Sequence, residues 1–238
     1  MAAAVAAHRS LTGALARDLP AFAPALGAIQ RFVANAAPPE LAAVARARAI
    51  EEDSLQASRL QTSWAGDTDG RSDYLSRALL QPYAHALGAL GIRPDRPTHR
   101  SETPRGALPL ADTPASGPSR CPFCGGAPWI AARRAASDAD GAQRFLGCSL
   151  CGTEWPLGRL RCPACAEEDP KKLASFQSDA HPAVRIEACE TCRRYVKSLD
   201  MTIDGRLVPE VDDLVSIAMD LWAADQGYTR IEPGIAGI

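Results

Sequence analysis

Eight cysteines are the residues best placed to do chemistry, and they form four C-x-x-C pairs: Cys121/Cys124, Cys148/Cys151, Cys162/Cys165 and Cys189/Cys192. The 120 residues before Cys121 contain none. Two residues between paired cysteines form a tight turn that aims both sulfurs at one ion, and two such knuckles complete a tetrahedral four-sulfur site. Adding 41 to each of the first four positions gives the last four, so the gaps between pairs run 23, 10 and 23 residues. Pro122/Pro163, Arg144/Arg185 and Phe145/Ile186 share the same offset. Such an internal duplication predicts two metal ions. One is assigned to Cys121, Cys124, Cys148 and Cys151, the other to Cys162, Cys165, Cys189 and Cys192. A cross-braced arrangement, first pair with third and second with fourth, is the structural alternative. Duplication argues against it, because each ancestral copy would then have lacked a complete site.

Four thiolates suit zinc and a mononuclear iron of the rubredoxin type equally, so the residue types leave the metal open. They also close the coordination shell, leaving no position for Lewis-acid catalysis. Disulfides are disfavoured in a reducing cytosol, and thioredoxin-like exchange needs a C-x-x-C at a helix start in a βαβ setting. The start, MAAAVAAHRS, lacks the basic region and apolar core of a secretory signal, which gives an expectation of a cytoplasmic protein. No apolar run approaches the ~18–20 residues that span a bilayer. No Gly-rich phosphate loop, G-x-S-x-G or H-E-x-x-H accompanies the cysteines, and a non-enzyme is expected.

A length of 238 residues suits one large or two modest domains, and 23% charged residues is ordinary for a globular chain. The formal charge of −2 gives no global case for nucleic acid or a membrane surface. Eight thiolates and two divalent ions take it to −6, which weakens that case further. Arg133-Arg134, Lys171-Lys172 and Arg193-Arg194 offset thiolate charge locally, but acids are interspersed through the same span. A nucleic-acid-binding zinc ribbon is therefore the alternative reading, disfavoured because Trp155 and Tyr195 alone make a thin stacking platform.

The elements that must position the cysteines give an α+β fold class: an N-terminal α-helical domain, two tandem rubredoxin-like or zinc-ribbon metal modules, and a C-terminal helix. The boundaries fall at 1–93, a Pro-rich linker 94–119, ribbons at 120–160 and 161–205, and a helix and tail at 206–238. Leu11, Leu15, Leu19 and Phe22 recur at helical spacing, continued by Leu26, Ile29, Phe32 and Val33. Pro38-Pro39 breaks the pattern before a helical stretch from Glu40 to Trp64. Gly66 to Gly70 is a turn, and Ser72 caps a helix through Leu90 that Pro82 should kink or restart. Each ribbon reads as knuckle, strand, knuckle, strand, with Arg144-Phe145-Leu146 and Val184-Arg185-Ile186 running into the second knuckle. Gly125, Gly126 and Gly152 permit positive φ and close backbone approach.

Val211, Leu214, Val215, Ala218, Leu221 and Trp222 draw one apolar stripe, which predicts a C-terminal helix buried on that face. Glu210, Asp212 and Asp213 read as favourable charges at its N-terminus. Trp64 and Trp222 read as core. Of the histidines, only His181 is a candidate for a place beside the second site or for a partner contact, and a surface loop is the favoured reading.

Several runs resemble one family. Cys121-Pro-Phe-Cys124-Gly, Arg144-Phe-Leu-Gly-Cys148-Ser-Leu-Cys151-Gly-Thr-Glu154-Trp155 and Arg161-Cys162-Pro-Ala-Cys165 are similar to the formate dehydrogenase accessory protein family, FdhE. So are Val184-Arg185-Ile-Glu187-Ala-Cys189-Glu-Thr-Cys192, Tyr195-Val-Lys197, Pro209-Glu-Val-Asp212-Asp213-Leu214 and Leu79-Leu80-Gln81-Pro82-Tyr83-Ala84. The resemblance implies a cytoplasmic assembly or maturation factor whose partner is the catalytic subunit of a respiratory formate dehydrogenase. It also implies that all eight cysteines are metal ligands, with iron favoured over zinc and a redox role open to it. Homo-oligomerisation is left open. Pro156 departs from the family pattern, where a histidine is expected after Glu154-Trp155.

Overall fold

The computed structural model describes residues 23–65, 74–89, 120–135 and 141–234. The first leucine repeat, the Gly66–Gly70 turn, the Ser72 cap and the Pro-rich linker lie outside the described residues. The chain divides into two compact units, Met1–Leu110 and Ala111–Ile238.

The first unit holds four described helices, α1 (Ala23–Ala36), α2 (Pro39–Ala49), α3 (Asp53–Ala65) and α4 (Tyr74–Ala89). Pro38 is the N-cap of α2 and Pro39 its first residue, where a missing N–H costs nothing. The stretch from Glu40 to Trp64 divides between α2 and α3, and Arg59 grips Glu51 across the division with two 2.8 Å hydrogen bonds. Leu26, Leu60, Trp64, Leu75, Leu80 and Leu87 form the buried core. The Trp64 ring tilts against Tyr83 at 5.8 Å. Helix α4 continues through position 82 without a restart.

The second unit is built on one sheet. Its strands are β1 (Pro128–Ala135), β2 (Ala142–Cys148), β3 (Glu154–Pro156), β4 (Leu173–Ser178), β5 (His181–Cys189), β6 (Arg194–Asp200) and β7 (Thr229–Arg230). The order is β3-β2-β1-β6-β5-β4, with β7 beside β6. Each 41-residue copy is an antiparallel three-stranded piece, one strand more than the sequence pattern suggested. The extra strand, β1 or β4, lies between the two knuckles. The copies join where β1 pairs with β6 in parallel, from Ile130↔Lys197 to Arg133↔Asp200. Two ribbons thus share one sheet.

Alternation along the strands gives that sheet two unlike faces. One carries Ile130, Val184, Ile186, Tyr195 and Leu199, which pack with Met219, Ala223 and Tyr228. The other carries Arg133, Arg144, Arg185, Glu187 and Asp200, brought together by the register Arg133↔Arg144 and Arg133↔Asp200.

The C-terminal helix departs from the sequence reading in two ways. It is two short helices, α5 (Pro209–Val215) and α6 (Ile217–Asp225), separated at Ser216. The stripe expected inside is outside: Val211, Leu214, Val215, Leu221 and Trp222 are all exposed. Asp213, Ser216, Met219, Asp220 and Ala223 are buried instead. Trp222 is therefore not core, although its ring meets Phe176 edge-on at 4.8 Å. Buried cations on the sheet, described below, account for the reversal.

Candidate metal centres

Each cluster is assembled by backbone turns before any ion is considered. In the first copy, Gly125 N–H donates to the Cys121 carbonyl (2.8 Å) and Cys121 N–H to the Gly126 carbonyl (2.9 Å). In the second copy the same bonds recur 41 residues on, Ala166 N–H to Cys162 (3.0 Å) and Cys162 N–H to Glu167 (2.9 Å). The residue after the second cysteine of each knuckle sits at positive φ: Gly125 at 72°, Gly152 at 70°, Ala166 at 62° and Arg193 at 55°. Glycine meets this demand without penalty in the first copy, whereas Ala166 and Arg193 accept a conformation that side chains disfavour. Gly126 is needed for space: a Cβ there would stand 2.8 Å from Cys148 Sγ and 3.3 Å from Cys124 Sγ.

The sulfurs gather within each copy, not across the copies. Cys121, Cys124, Cys148 and Cys151 lie with all four Sγ atoms within 4.8 Å of one another, and so do Cys162, Cys165, Cys189 and Cys192. Cross-knuckle separations are 3.6 Å (Cys121–Cys151), 3.4 Å (Cys124–Cys148), 3.8 Å (Cys162–Cys192) and 3.7 Å (Cys165–Cys189). These are too long for disulfides, whose sulfurs stand about 2.05 Å apart. They match a tetrahedron: sulfurs about 2.3 Å from a central ion are about 3.8 Å from one another. Each set could hold one metal ion. Backbone donors support the sulfurs, with Leu150 and Ala164 N–H each 3.4 Å from Cys148 and Cys162 Sγ.

Crowding four thiols also redistributes their protons. Hydrogen bonds from Cys124 and Cys148 hold the Cys121 thiol at about 7, and a bond from Cys192 holds Cys162 at about 5. The proton goes to neighbours: hydrogen bonding to Cys121 raises both Cys124 and Cys148. A cation replaces those protons with a charge that all four sulfurs can share.

The family comparisons fall on this same region. Residues 120–159 match the model described as "FdhE, central domain" and residues 160–235 match "FdhE, C-terminal domain". Residues 120–235 belong to the FdhE family. A "Protein FdhE homolog" of Aquifex aeolicus is 36% identical over 117 residues, 49% of this chain and 41% of that protein. One from Pseudomonas aeruginosa is 34% identical over 119 residues, 48% of this chain and 38% of that protein. The matched stretch is thus under half the length of these curated relatives. The crystal structure of the FdhE protein from Pseudomonas aeruginosa has a similar fold, with a TM-score of 0.61 and 24% identity. That likeness covers 93% of this chain and 71% of the other.

Within this FdhE-family region the two sulfur clusters differ in exposure. The first is buried at all four cysteines, whereas Cys165 and Cys192 of the second are only half-buried. Glu167 staples the second: its Oε2 accepts from Thr191 Oγ1 at 2.6 Å and its Oε1 from Asp169 N–H at 3.0 Å. These bonds, Thr191 first, hold its carboxyl down at about 2. Arg193 lies 4.0 Å over the Tyr228 ring and ties the last knuckle to the C-terminal segment.

The sequence reading missed a buried charge cluster behind the sheet. Lys197, fully buried, pairs with Asp213 at 3.1 Å and with Asp220, and donates to the Asp213 carbonyl at 2.9 Å. Arg230 pairs with Asp213 at 2.7 Å and with Asp220 at 3.3 Å, and reaches the Trp129 carbonyl of the first copy at 3.0 Å. Tyr195 Oη donates to Asp220 at 2.9 Å. Burial, then the Asp220 charge, raise that phenol above its ordinary range and keep it a donor. Asp213 is thus a counter-ion in the core, while Asp212 takes the N-terminal role by accepting from Val208 N–H at 2.6 Å. A usable signal was present in the spacing: Asp213 and Asp220 are seven apart, two helical turns on one face. His181 opens β5 and lies eight residues, about 26 Å of extended chain, from Cys189. That places it away from the second centre.

Proposed function

We propose that this chain is a non-enzymatic accessory factor in the assembly of formate dehydrogenase, acting in the cytoplasm on that enzyme's catalytic subunit. The observation that carries the reading is a pair of closed four-sulfur clusters in a region that belongs to the FdhE family. Four sulfurs per ion leave no coordination site for a substrate, so the ions serve to fix a protein surface. The half-buried edge at Cys165 and Cys192 gives the partner a place to meet the second centre.

Cys121, Cys124, Cys148 and Cys151 would hold one ion, and Cys162, Cys165, Cys189 and Cys192 the other. Iron is the proposed metal, and one-electron redox change is the chemistry that it would supply; backbone N–H donors to the sulfurs are the groups that tune such a potential. Anaerobic purification followed by metal analysis should find iron and a visible thiolate charge-transfer band. Zinc alone, with no band, refutes the redox role. Co-expression with the catalytic subunit should recover the two proteins together, and loss of that recovery on Cys192→Ser should follow loss of the second ion. Repeated failure to recover the subunit with fully metallated protein overturns the partner assignment.

A nucleic-acid role gains nothing from the structure, since both aromatic groups of the stacking platform, Trp155 and Tyr195, are buried.

A further inference from the structure

The polar face of the sheet bears a half-open cavity of about 190 Å³. Five arginines line it, Arg133, Arg144, Arg159, Arg161 and Arg185, against one acid, Glu187. Arg144 and Arg185 are the repeat-related pair at the 41-residue offset, and Arg159 and Arg161 come from the connector between the copies. The cavity therefore exists only because the ribbon is duplicated and joined.

Partners for these cations are too few. Arg144 pairs with Glu187 at 2.7 Å and donates to the Gly158 and Arg161 carbonyls at 3.3 and 3.1 Å. Asp200 serves two of them, Arg133 at 2.8 Å and Arg185 at 3.7 Å. Arg161 has the exposed Glu168 at 3.6 Å, and Arg159 has no ion pair among the described residues. Two positive charges are left over. In addition, the Nε atoms of Arg133, Arg144, Arg161 and Arg185 are buried without an acceptor. Arg133 and Arg144 also stand directly opposite across β1 and β2, a placement of like charges that costs stability.

The second metal centre does not absorb this excess. Cys162 and Cys189 line the same cavity, and four thiolates around a divalent ion carry a net charge of about −2. Yet none of the five guanidiniums donates a hydrogen bond to a sulfur among the described residues; Cys162 Sγ receives its bond from Ala164 N–H. The charge is attracted to the centre without being satisfied by it.

We propose that this cavity binds an oxyanion, a phosphate or carboxylate group, between the two ribbons. Anchored guanidiniums present fixed, paired donors that match the planar edge of such groups, which a lysine cluster does not. The volume is below the ~300 Å³ at which small-molecule sites begin, and so fits a single anionic group with a short apolar stem against Leu160.

The test uses the full, metal-loaded chain at low ionic strength, titrated calorimetrically with inorganic phosphate and, separately, with succinate. Saturable binding of at least one, to one site per chain, is expected. Phosphate alone assigns a phosphoryl ligand, and succinate alone a carboxylate. The Arg159→Ala/Arg161→Ala variant removes two accessible cations without touching a buried pair, and should weaken binding about tenfold or more. Arg134→Ala, a surface residue paired with Glu154 outside the cavity, should leave it unchanged. No saturable binding of either anion, or affinity unchanged by the double substitution, overturns the proposal.

Discussion

Lys197→Met tests the reasoning about the C-terminal helices most directly. Lys197, Arg230, Asp213 and Asp220 are two cations and two anions, each at most 4% exposed, so the buried set is neutral. The substitution keeps length and apolar volume, but leaves two carboxylates facing one guanidinium. At the 3.1 Å separation from Asp213, the attraction removed is about 5 kcal/mol with an effective dielectric of about 20. Some of it is offset because Lys197 no longer has to be desolvated. Breaking one side of a buried pair generally costs about 3–5 kcal/mol, and that loss is expected here. With an urea sensitivity of about 2 kcal/mol per molar, the unfolding midpoint should fall by about 2 M. The assay is urea denaturation with both sites metallated, followed by tryptophan fluorescence. The pair Lys197→Met/Asp220→Asn restores neutrality and should be distinctly more stable than the sum of its single substitutions predicts. A loss under about 1 kcal/mol for Lys197→Met, or simple additivity in the double variant, would refute the counter-ion account.

Three further substitutions follow from the knuckles. Gly126→Ala drives a methyl to 2.8 Å from Cys148 Sγ, so the first site should lose metal to a chelator faster while the second is unaffected, as read by metal release. Ala166→Gly relieves a positive φ of 62°, and should raise the stability of the metallated protein by about 0.5–1 kcal/mol in the same urea assay. Glu167→Gln removes a carboxyl held down from 4.5 to about 2 by Thr191 and the Asp169 amide. A depressed carboxyl contributes stability above its unfolded value and loses it as pH falls toward the folded one. The melting difference between wild type and Glu167→Gln should therefore be full above pH 4.5 and close toward pH 2. A difference that is constant across that window would show that the staple is not charge-dependent.

The sulfur clusters were legible because their geometry is local. Each knuckle spans four residues of sequence, its turn bonds recur at the 41-residue offset, and a four-sulfur tetrahedron dictates what the two turns must present. Strands β2 and β5 were legible for the same reason, since they run directly into a knuckle. The parallel pairing of β1 with β6 was not. It joins residues 67 apart in sequence, Ile130 and Lys197, and neither strand carries a mark of its neighbour. The cavity between the copies is a product of that pairing, so the Arg144/Arg185 repeat could be seen in the sequence without its consequence.

The reversed C-terminal helix shows which effect prevails when two readings of one segment conflict. Val211, Leu214, Val215, Leu221 and Trp222 form a stripe only if a single 3.6-residue register runs from 211 to 222. Ser216, at φ −96° and ψ 22°, separates α5 from α6, yet exposed and buried positions keep helical spacing across it, so the whole stripe faces out together. The deciding demand comes from the sheet. Lys197 and Arg230 sit at 0% and 4% exposure on its covered side, where an unpaired cation costs several kcal/mol. Burying one leucine or valine side chain returns about 1.5–3 kcal/mol, less than the several kcal/mol that stranding one of these buried cations costs. Asp213 and Asp220, two turns apart, present both counter-ions from one face, and the break at Ser216 lets α5 and α6 each settle on that face. Charge on the sheet thus sets the orientation of the helices, and Ala223 and Met219 fill the space between them.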